Sequence, residues 1–463
     1  FFQPSSGDDE LLRSIKTLLW GNIIKEDVFS RWAQGFYFSP DEPTALVQTE
    51  GGPCAVIAPV QAFIFKHLLS ECNIDSWKSI KPEKCYQFLV RACIDILKQA
   101  AGERDPKFTI VHRDYKFLRK ESQEETQKEQ QNDAAGTGEK MEEEERVVND
   151  EASKVLPKEK QGHCDTLLEQ RLEAETFLTD ILEMLKDQYG VLLLLYSVIA
   201  TKGVSAIHSE MLDSSEPMID STYGYGSQSL INLMLTGRAV SHVWDHDQNI
   251  GGLIHDSVVS ISELRGIDKQ NSVGFLALLE HLRYCEVGTF LKSPSNPVWV
   301  LGSETHLSVL FSTAKELVSP DTPSEQAKRV FRRFDQEGYN FIPSYLLQDL
   351  LAELGLVADA EYVDIMRKKL DSENLGIILR TAFMDEFFPE ELWNCPDTFP
   401  LYHYNGLQRS NPDNRVKYHK GHAVLLECAM KGVLESNPMQ TVLQTKWPRI
   451  EIQWDIGQNP SLN

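Results

Sequence analysis

A long apolar segment behind a glycine-rich turn constrains the fold of this chain more than any other feature. The turn Gly51–Pro53 is followed by Cys54 and by apolar positions from Ala55 to Leu69 that recur at helical spacing. Glycines supply the turn, and proline is tolerated at the start of a helix because its missing N–H would have no partner there. The segment therefore predicts a buried helix that begins next to Cys54.

Cys54 lies where a thiol can become a nucleophile. Unpaired N–H groups at a helix N-terminus and the helix dipole favour the thiolate, whereas a free cysteine titrates near ~8.5. The glycine-rich turn gives access to the sulfur, and the helix behind it holds the sulfur in place. The competing interpretation is a buried structural thiol, which describes most cysteines.

A thiolate catalyst also requires a base and a donor for the oxyanion. His306 is the favoured base among twelve histidines, because it begins a predicted strand, His306–Phe311, after a tight turn from another, Val298–Leu301. Gln48, six residues before Cys54, is the candidate oxyanion donor, unless its amide only braces the loop. A helix-borne cysteine followed by a strand-borne histidine is the order of papain-like cysteine proteases. We therefore expect an α+β fold of that type.

Elsewhere, apolar periodicity predicts three further helices, at 11–19, 167–185 and 275–285. The apolar run Val191–Ala200 is too short to span a bilayer and indicates a buried helix or strand. His242 and His403 are the less favoured candidates for the base, and both are placed in loops.

Two twelve-residue segments repeat a helix–loop–helix pattern at an offset of 36 residues. One begins at Asp335 and the other at Asp371, and Ile342 and Ile378 hold the apolar eighth position of each. This pattern is typical of a paired EF-hand and predicts an inserted helical module.

The same two segments do not predict a calcium site. Such a loop needs oxygen ligands at positions 1, 3 and 5 and a bidentate glutamate at position 12. Position 5 is Tyr339 or Leu375, and position 12 is Leu346 or Ala382. The module is therefore expected to be stabilised by packing, without metal, and no cofactor is predicted anywhere in the chain.

The charge of the chain excludes some classes of partner. Its 463 residues contain 46 basic and 69 acidic side chains, a net charge of −23. Residues 119–163 are rich in Glu, Gln and Lys, with 13 acidic and 8 basic side chains, and are predicted to be a disordered acidic insertion. The remainder is also acidic, so neither nucleic acid nor an anionic membrane is an expected partner.

The eight cysteines include no CxxC pair, which argues against a zinc ribbon and a dense disulfide framework. Reduced thiols are typical of a protein of the cytoplasm or nucleus. The predicted organisation is a catalytic domain in three segments, 1–118, 164–320 and 391–463, interrupted by the insertion 119–163 and the EF-hand-like module 321–390.

Four sequence segments carry a resemblance to a known family: QTEGGPCAVIAPVQAF, SQSLINLMLTGRAVSHVWD, GSETHLSVLF and LQTKWPRIEIQW. Together they resemble the MINDY family of cysteine deubiquitinases, and the EF-hand-like insertion is most similar to the EF-hand-bearing third paralogue of that family. The resemblance covers nearly the whole chain apart from the acidic insertion.

The resemblance implies a role for each site residue. The family nucleophile lies in a Q-x-E-x-G-P-C motif, matched at Cys54, and the glutamine of that motif, matched at Gln48, is the oxyanion residue. The family histidine lies in a T-H-x-[ST] motif, matched at His306. The implied reaction is isopeptide hydrolysis in polyubiquitin, preferentially in lysine-48-linked chains. The motifs do not assign the residue that orients the histidine, which could be an Asp, an Asn or a backbone carbonyl.

Two other functions were weighed against a cysteine isopeptidase. One is a catalytically weak or inactive scaffold that binds ubiquitin chains, and the other is a calcium-responsive adaptor, which the missing position-12 carboxylates disfavour. The oligomeric state is not predicted.

Overall fold

A computed structural model describes the chain over twelve ranges. These are residues 6–72, 76–102, 108–111, 160–162, 181–250, 253–254, 257–258, 262–319, 322–335, 339–389, 396–426 and 437–463. Most of the acidic segment 119–163 lies outside them, as does most of the helix predicted at 167–185.

Helices and strands occur in runs along the chain. The helices are α1 (Ser6–Trp20), α2 (Glu26–Trp32), α3 (Cys54–Glu71), α4 (Pro82–Ala101), α5 (Gly190–Lys202), α6 (Val204–Glu210), α7 (Gln228–Thr236), α8 (Leu278–His281), α9 (Thr289–Lys292), α10 (Pro323–Phe334), α11 (Leu347–Glu353), α12 (Ala360–Leu370), α13 (Arg380–Phe387) and α14 (Pro438–Gln444). The strands are β1 (Phe108–Ile110), β2 (Lys160–Gly162), β3 (Gln248–Ile250), β4 (Leu253–Ile254), β5 (Ser257–Val258), β6 (Ser262–Leu264), β7 (Gly274–Ala277), β8 (Val298–Gly302), β9 (Leu307–Phe311), β10 (Phe341–Pro343), β11 (Ile377–Leu379), β12 (Thr398–Tyr404), β13 (Tyr418–Leu425) and β14 (Ile450–Trp454). The expected mixed α+β architecture is confirmed.

The chain divides into two compact units. The larger unit comprises Phe1–Thr313 and Thr398–Asn463, and the smaller one comprises Ala314–Asp397. A six-stranded sheet in the order β14-β13-β12-β9-β8-β7 organises the larger unit. Its strand pairs are antiparallel except for β7 with β8.

Helix α3 forms the centre of the core, as its apolar sequence predicts. It begins at Cys54, and most of its side chains are buried. Phe65 from this helix stacks on Phe311 of β9 with ring centroids 4.0 Å apart. Helix α3 is long and apolar enough to cross a membrane by length and composition, but 78% of its most apolar stretch is buried inside the protein. Its hydrophobicity is therefore explained by the core it builds.

Three local predictions require correction. Residues 275–285 do not form a helix, because Gly274–Ala277 pairs as a strand with Trp299–Gly302, and only one helical turn, Leu278–His281, follows. The strand predicted from His306 begins at Leu307, so the histidine lies at the end of the turn. His403 lies inside strand β12, not in a loop.

Other elements agree with the sequence or extend it. The apolar run that begins at Val191 forms helix α5. Within the segment 119–163, Lys160–Gly162 forms a strand paired with Phe108–Ile110.

The smaller unit has its own apolar core. Strands β10 and β11 pair antiparallel between two sets of helices, with Ile342 opposite Ile378, and both isoleucines are fully buried. Asp335 accepts hydrogen bonds from the backbone N–H groups of Tyr339 and Asn340, at 3.0 and 2.7 Å. Asp371 makes the equivalent bonds to Leu375 and Gly376. These carboxylates close their loops by binding backbone donors.

Candidate active site

Cys54 is the first residue of α3, at the position where the sequence predicts it. Its thiol is buried, donates to the carbonyl of Gly52 at 3.7 Å, and hydrogen-bonds with the backbone of Leu307. Because Leu307 directly follows His306, the fold brings the two predicted catalytic residues to the same place from different parts of the chain.

His306 is held by a partner that the motifs did not identify. Its ring Nε2 lies 2.9 Å from Oδ1 of Asn405, which follows the last residue of β12. The Asn405 Nδ2 group donates to the carbonyls of Ser461 and Asn463, and its Oδ1 also accepts the backbone N–H of Leu407 at 3.0 Å. These contacts assign Oδ1 as an acceptor. Nε2 therefore carries the ring proton, and Nδ1 keeps the lone pair that a general base needs.

Burial sets the protonation state of the pair. It raises the pKa of the Cys54 thiol to about 11, although backbone hydrogen bonds, that of Leu307 foremost, oppose the shift. Burial lowers the pKa of His306 to about 4; the hydrogen bond to Asn405 raises it, and the nearby Arg409 charge lowers it further. At neutral pH the structure therefore holds a neutral thiol beside a neutral imidazole.

Gln48 binds the segment next to Asn405, and its side-chain amide already makes a hydrogen bond within its own loop. Its backbone N–H donates to the carbonyl of Gly406 at 2.8 Å, and its side-chain Nε2 donates to the carbonyl of Glu50 at 2.6 Å. The side chain is buried. This bond braces the loop, but an amide nitrogen has two hydrogens, so a second donor remains for an oxyanion.

The turn before Cys54 requires a glycine at one position. Gly52 has φ +132°, and a Cβ there would lie 2.9 Å from Nε1 of Trp32 and 3.1 Å from the carbonyl of Gly224. The Trp32 indole donates to that carbonyl at 2.9 Å. The backbone of the turn thus approaches a buried hydrogen bond too closely for any side chain.

Asn405 and Arg409 were missed by sequence reasoning. Both belong to a segment that follows β12, which pairs with β9 next to His306. The only available signal was an Asn-Gly pair at the end of an apolar strand pattern, which also describes an ordinary turn.

The other histidines considered as bases are not brought to Cys54 by any described contact. His242 stacks on Trp244 with ring centroids 3.9 Å apart. His403 is fully buried, with Nε2 2.9 Å from the Ser308 hydroxyl. No group of three or more His, Cys, Asp or Glu side chains within the described ranges could hold a metal ion.

Comparison with known proteins places the chain in a family. A family model described as "Deubiquitinating enzyme MINDY-3/4, conserved domain" matches residues 16–335. The chain belongs to the MINDY-3/4 family of deubiquitinating enzymes.

Relatives of the MINDY type match almost the whole chain. It is 48% identical to the ubiquitin carboxyl-terminal hydrolase MINDY-3 homolog of Drosophila melanogaster, over 98% of this chain and 83% of that protein. It is 44% identical to MINDY-3 of Homo sapiens, over 98% and 100%. The probable ubiquitin carboxyl-terminal hydrolase MINDY-4 of Mus musculus is 31% identical over 67% of this chain and 38% of that protein. No solved structure matches.

Proposed function

We propose that this protein is a thiol-dependent isopeptidase that cleaves polyubiquitin, preferentially lysine-48-linked chains. Cys54 is the nucleophile, His306 the base and Gln48 the oxyanion donor, in a papain-like arrangement. The observation that supports this most strongly is that the three residues meet through neighbouring partners. The Cys54 thiol hydrogen-bonds with the backbone of Leu307, next to His306, while the His306 ring binds Asn405 and the Gln48 backbone binds the adjacent Gly406, in a chain that belongs to a deubiquitinase family.

The geometry suggests how the protons move. His306 Nδ1 accepts the thiol proton as the Cys54 sulfur attacks the isopeptide carbonyl, whose oxygen takes up the negative charge beside the Gln48 amide. The imidazolium then protonates the departing lysine amine, which leaves a thioester between ubiquitin and Cys54. A water molecule, deprotonated by the same imidazole, hydrolyses the thioester and restores the thiol.

In this proposal, the neutral, buried Cys54 thiol and His306 imidazole are the resting state of the enzyme before substrate binds. A thiolate–imidazolium pair is disfavoured there because charge is costly to bury. In this proposal, the proton therefore moves during attack, when the oxyanion and its donors offset part of that cost.

The scaffold hypothesis remains the second candidate, because two observations favour it. Cys54 is only 4% exposed, and the Gln48 amide is bound to its own loop. A protein that binds ubiquitin chains without cutting them could share both features.

The smaller unit supports a finer proposal. Its helix–strand–helix repeat, with Ile342 opposite Ile378, fits a paired EF-hand in which Asp335 and Asp371 close their loops without calcium. We further propose a location in the cytoplasm and nucleus, since all five cysteines of the described ranges are free thiols.

Cleavage of a panel of ubiquitin tetramers of defined linkage tests the proposal. The wild-type protein should release ubiquitin from lysine-48-linked chains faster than from other linkages, and Cys54→Ala should bind the same chains without cutting them. Cys72→Ala is the matched control and should retain full activity. Tight binding with no cleavage by the wild-type protein would favour the scaffold.

A further inference from the structure

The segment Pro460–Asn463 packs against Asn405 and the turn that carries His306. The Leu462 side chain is only 4% exposed, although the segment has no regular secondary structure. Backbone carbonyls of Ser461 and Asn463 accept from Nδ2 of Asn405, at 3.1 and 3.4 Å. The segment therefore supplies the acceptors for one end of the amide whose other end holds His306.

The same segment contacts the turn that carries His306. The Asn463 Oδ1 atom accepts hydrogen bonds from the hydroxyls of Ser303, at 2.6 Å, and Thr305, at 3.4 Å. The Ser303 hydroxyl in turn accepts the backbone N–H of His306 at 2.9 Å. The Asn463 side chain thus stabilises the backbone of the turn that carries His306. The carbonyls of Ser461 and Asn463 stabilise the Asn405 amide that binds the His306 ring.

We propose that Pro460–Asn463 is a positioning element of the active site. It fixes the positions of Asn405 and of the Ser303–His306 turn. In these positions Asn405 binds the protonated Nε2 of His306, and Nδ1 stays free to accept the Cys54 thiol proton. This deepens the proposed function and rests on it for the identity of the reaction.

The physical argument depends on the burial of Asn405. Asn405 is only 1% exposed. Removal of the Ser461 and Asn463 carbonyls would therefore leave its NH₂ group without acceptors inside the protein. The amide then regains hydrogen bonds only by rotating or by admitting water, and either change loosens the bond to His306. The segment acts through Asn405 and the turn.

Deletion of residues 461–463 tests this proposal when combined with Asn405→Ala. We expect the deletion to lower kcat by about tenfold or more with little change in KM, because it alters orientation of the base and not the binding of ubiquitin. In the Asn405→Ala background the same deletion should lower kcat by a smaller factor, because the contacts to the amide are already lost and only those to the turn remain to be removed. Equal losses in both backgrounds would overturn the proposal.

Two milder variants keep the test decisive if the deletion impairs folding. Asn463→Ala removes only the contacts to the turn and should lower kcat severalfold without a matching fall in melting temperature. Asn459→Ala is the matched control, since the exposed Asn459 side chain takes no part in these contacts. If Asn463→Ala and Asn459→Ala are equally active, the Asn463 side chain has no positioning role.

The alkylation rate of Cys54 by iodoacetamide separates this proposal from the proposed function. The rate reports deprotonation of the thiol and needs no ubiquitin. The deletion should shift the rise in alkylation rate to a higher pH. An unchanged profile contradicts the positioning role even if chains are cleaved, whereas a changed profile supports it even if they are not.

Discussion

The Gln48 amide has two candidate roles, as a brace of its own loop and as a donor to the oxyanion. It donates to the Glu50 carbonyl and still has one hydrogen for an oxyanion. We expect Gln48→Ala to lower kcat by about 10²–10³, with Gln48→Glu at least as damaging because a carboxylate repels the developing charge. Steady-state kinetics, chain affinity and melting temperature separate the roles. A decrease below about tenfold in both variants, accompanied by lower stability, would show that the residue only braces its loop.

The Arg409 charge opposes the protonation of His306 and should restrain the reactivity of Cys54. Its repulsion is one cause of the lowered pKa of His306. Arg409→Gln should therefore raise that pKa and speed alkylation of Cys54 near neutral pH by about two- to fivefold. Arg415→Gln, another exposed arginine near the same segment, is the control. Slower alkylation in Arg409→Gln would mean that the arginine supports the thiolate directly.

At the scale of elements, local patterns were predicted well and distant pairings were not. The start of α3 at Cys54 followed from a turn and an apolar period, which are both local signals. The strand at Gly274–Ala277 depends on parallel pairing with residues 299–302, so its short apolar run was mistaken for a helix. Asn405 reaches His306 across 99 residues, through the β9–β12 pairing, and no local signal announces that contact.

The turn before α3 offers a matched pair of substitutions. Gly52→Ala should destabilise the protein by about 1–3 kcal/mol and reduce cleavage, because its Cβ would collide with the Trp32–Gly224 hydrogen bond at a positive φ. Gly51→Ala should be tolerated, since its Cβ meets only the end of the Arg409 side chain, at 3.3 Å. Urea unfolding and chain cleavage measure both effects. Equal stability of the two variants would contradict this account of the turn.

At the scale of the whole molecule, buried neutral histidines should make the fold sensitive to acid. Burial lowers the pKa of His306 to about 4 and that of His403 to about 3, from about 6.5. The unfolded chain then binds protons that the folded one does not, so stability falls as pH decreases from about 6.5 towards 4. Together the two residues should lower the free energy of unfolding by about 2–4 kcal/mol between pH 7.5 and 5.

Urea unfolding at the two pH values measures this difference. His403→Gln should reduce it, while His281→Gln, at an exposed position, should leave it unchanged. Equal stability of the wild-type protein at both pH values would contradict the neutral, buried state of these rings.

Calcium should have no effect on the smaller unit. Its loops lack donors at positions 5 and 12, and the first carboxylate of each loop is bound to backbone N–H groups. Addition of Ca²⁺ or of a chelator should change neither the melting temperature nor the cleavage rate. A rise in melting temperature with Ca²⁺ would show that the native state binds the ion.

The most direct test of the central claim is the site at which a ubiquitin with an electrophilic C-terminus attaches. Intact-mass and peptide mapping should place one ubiquitin on Cys54 of the wild-type protein. The adduct should be absent in Cys54→Ala and should form much more slowly in His306→Ala, because the base that removes the thiol proton is missing. Attachment at another cysteine, or an undiminished rate in His306→Ala, would contradict the assignment of nucleophile and base.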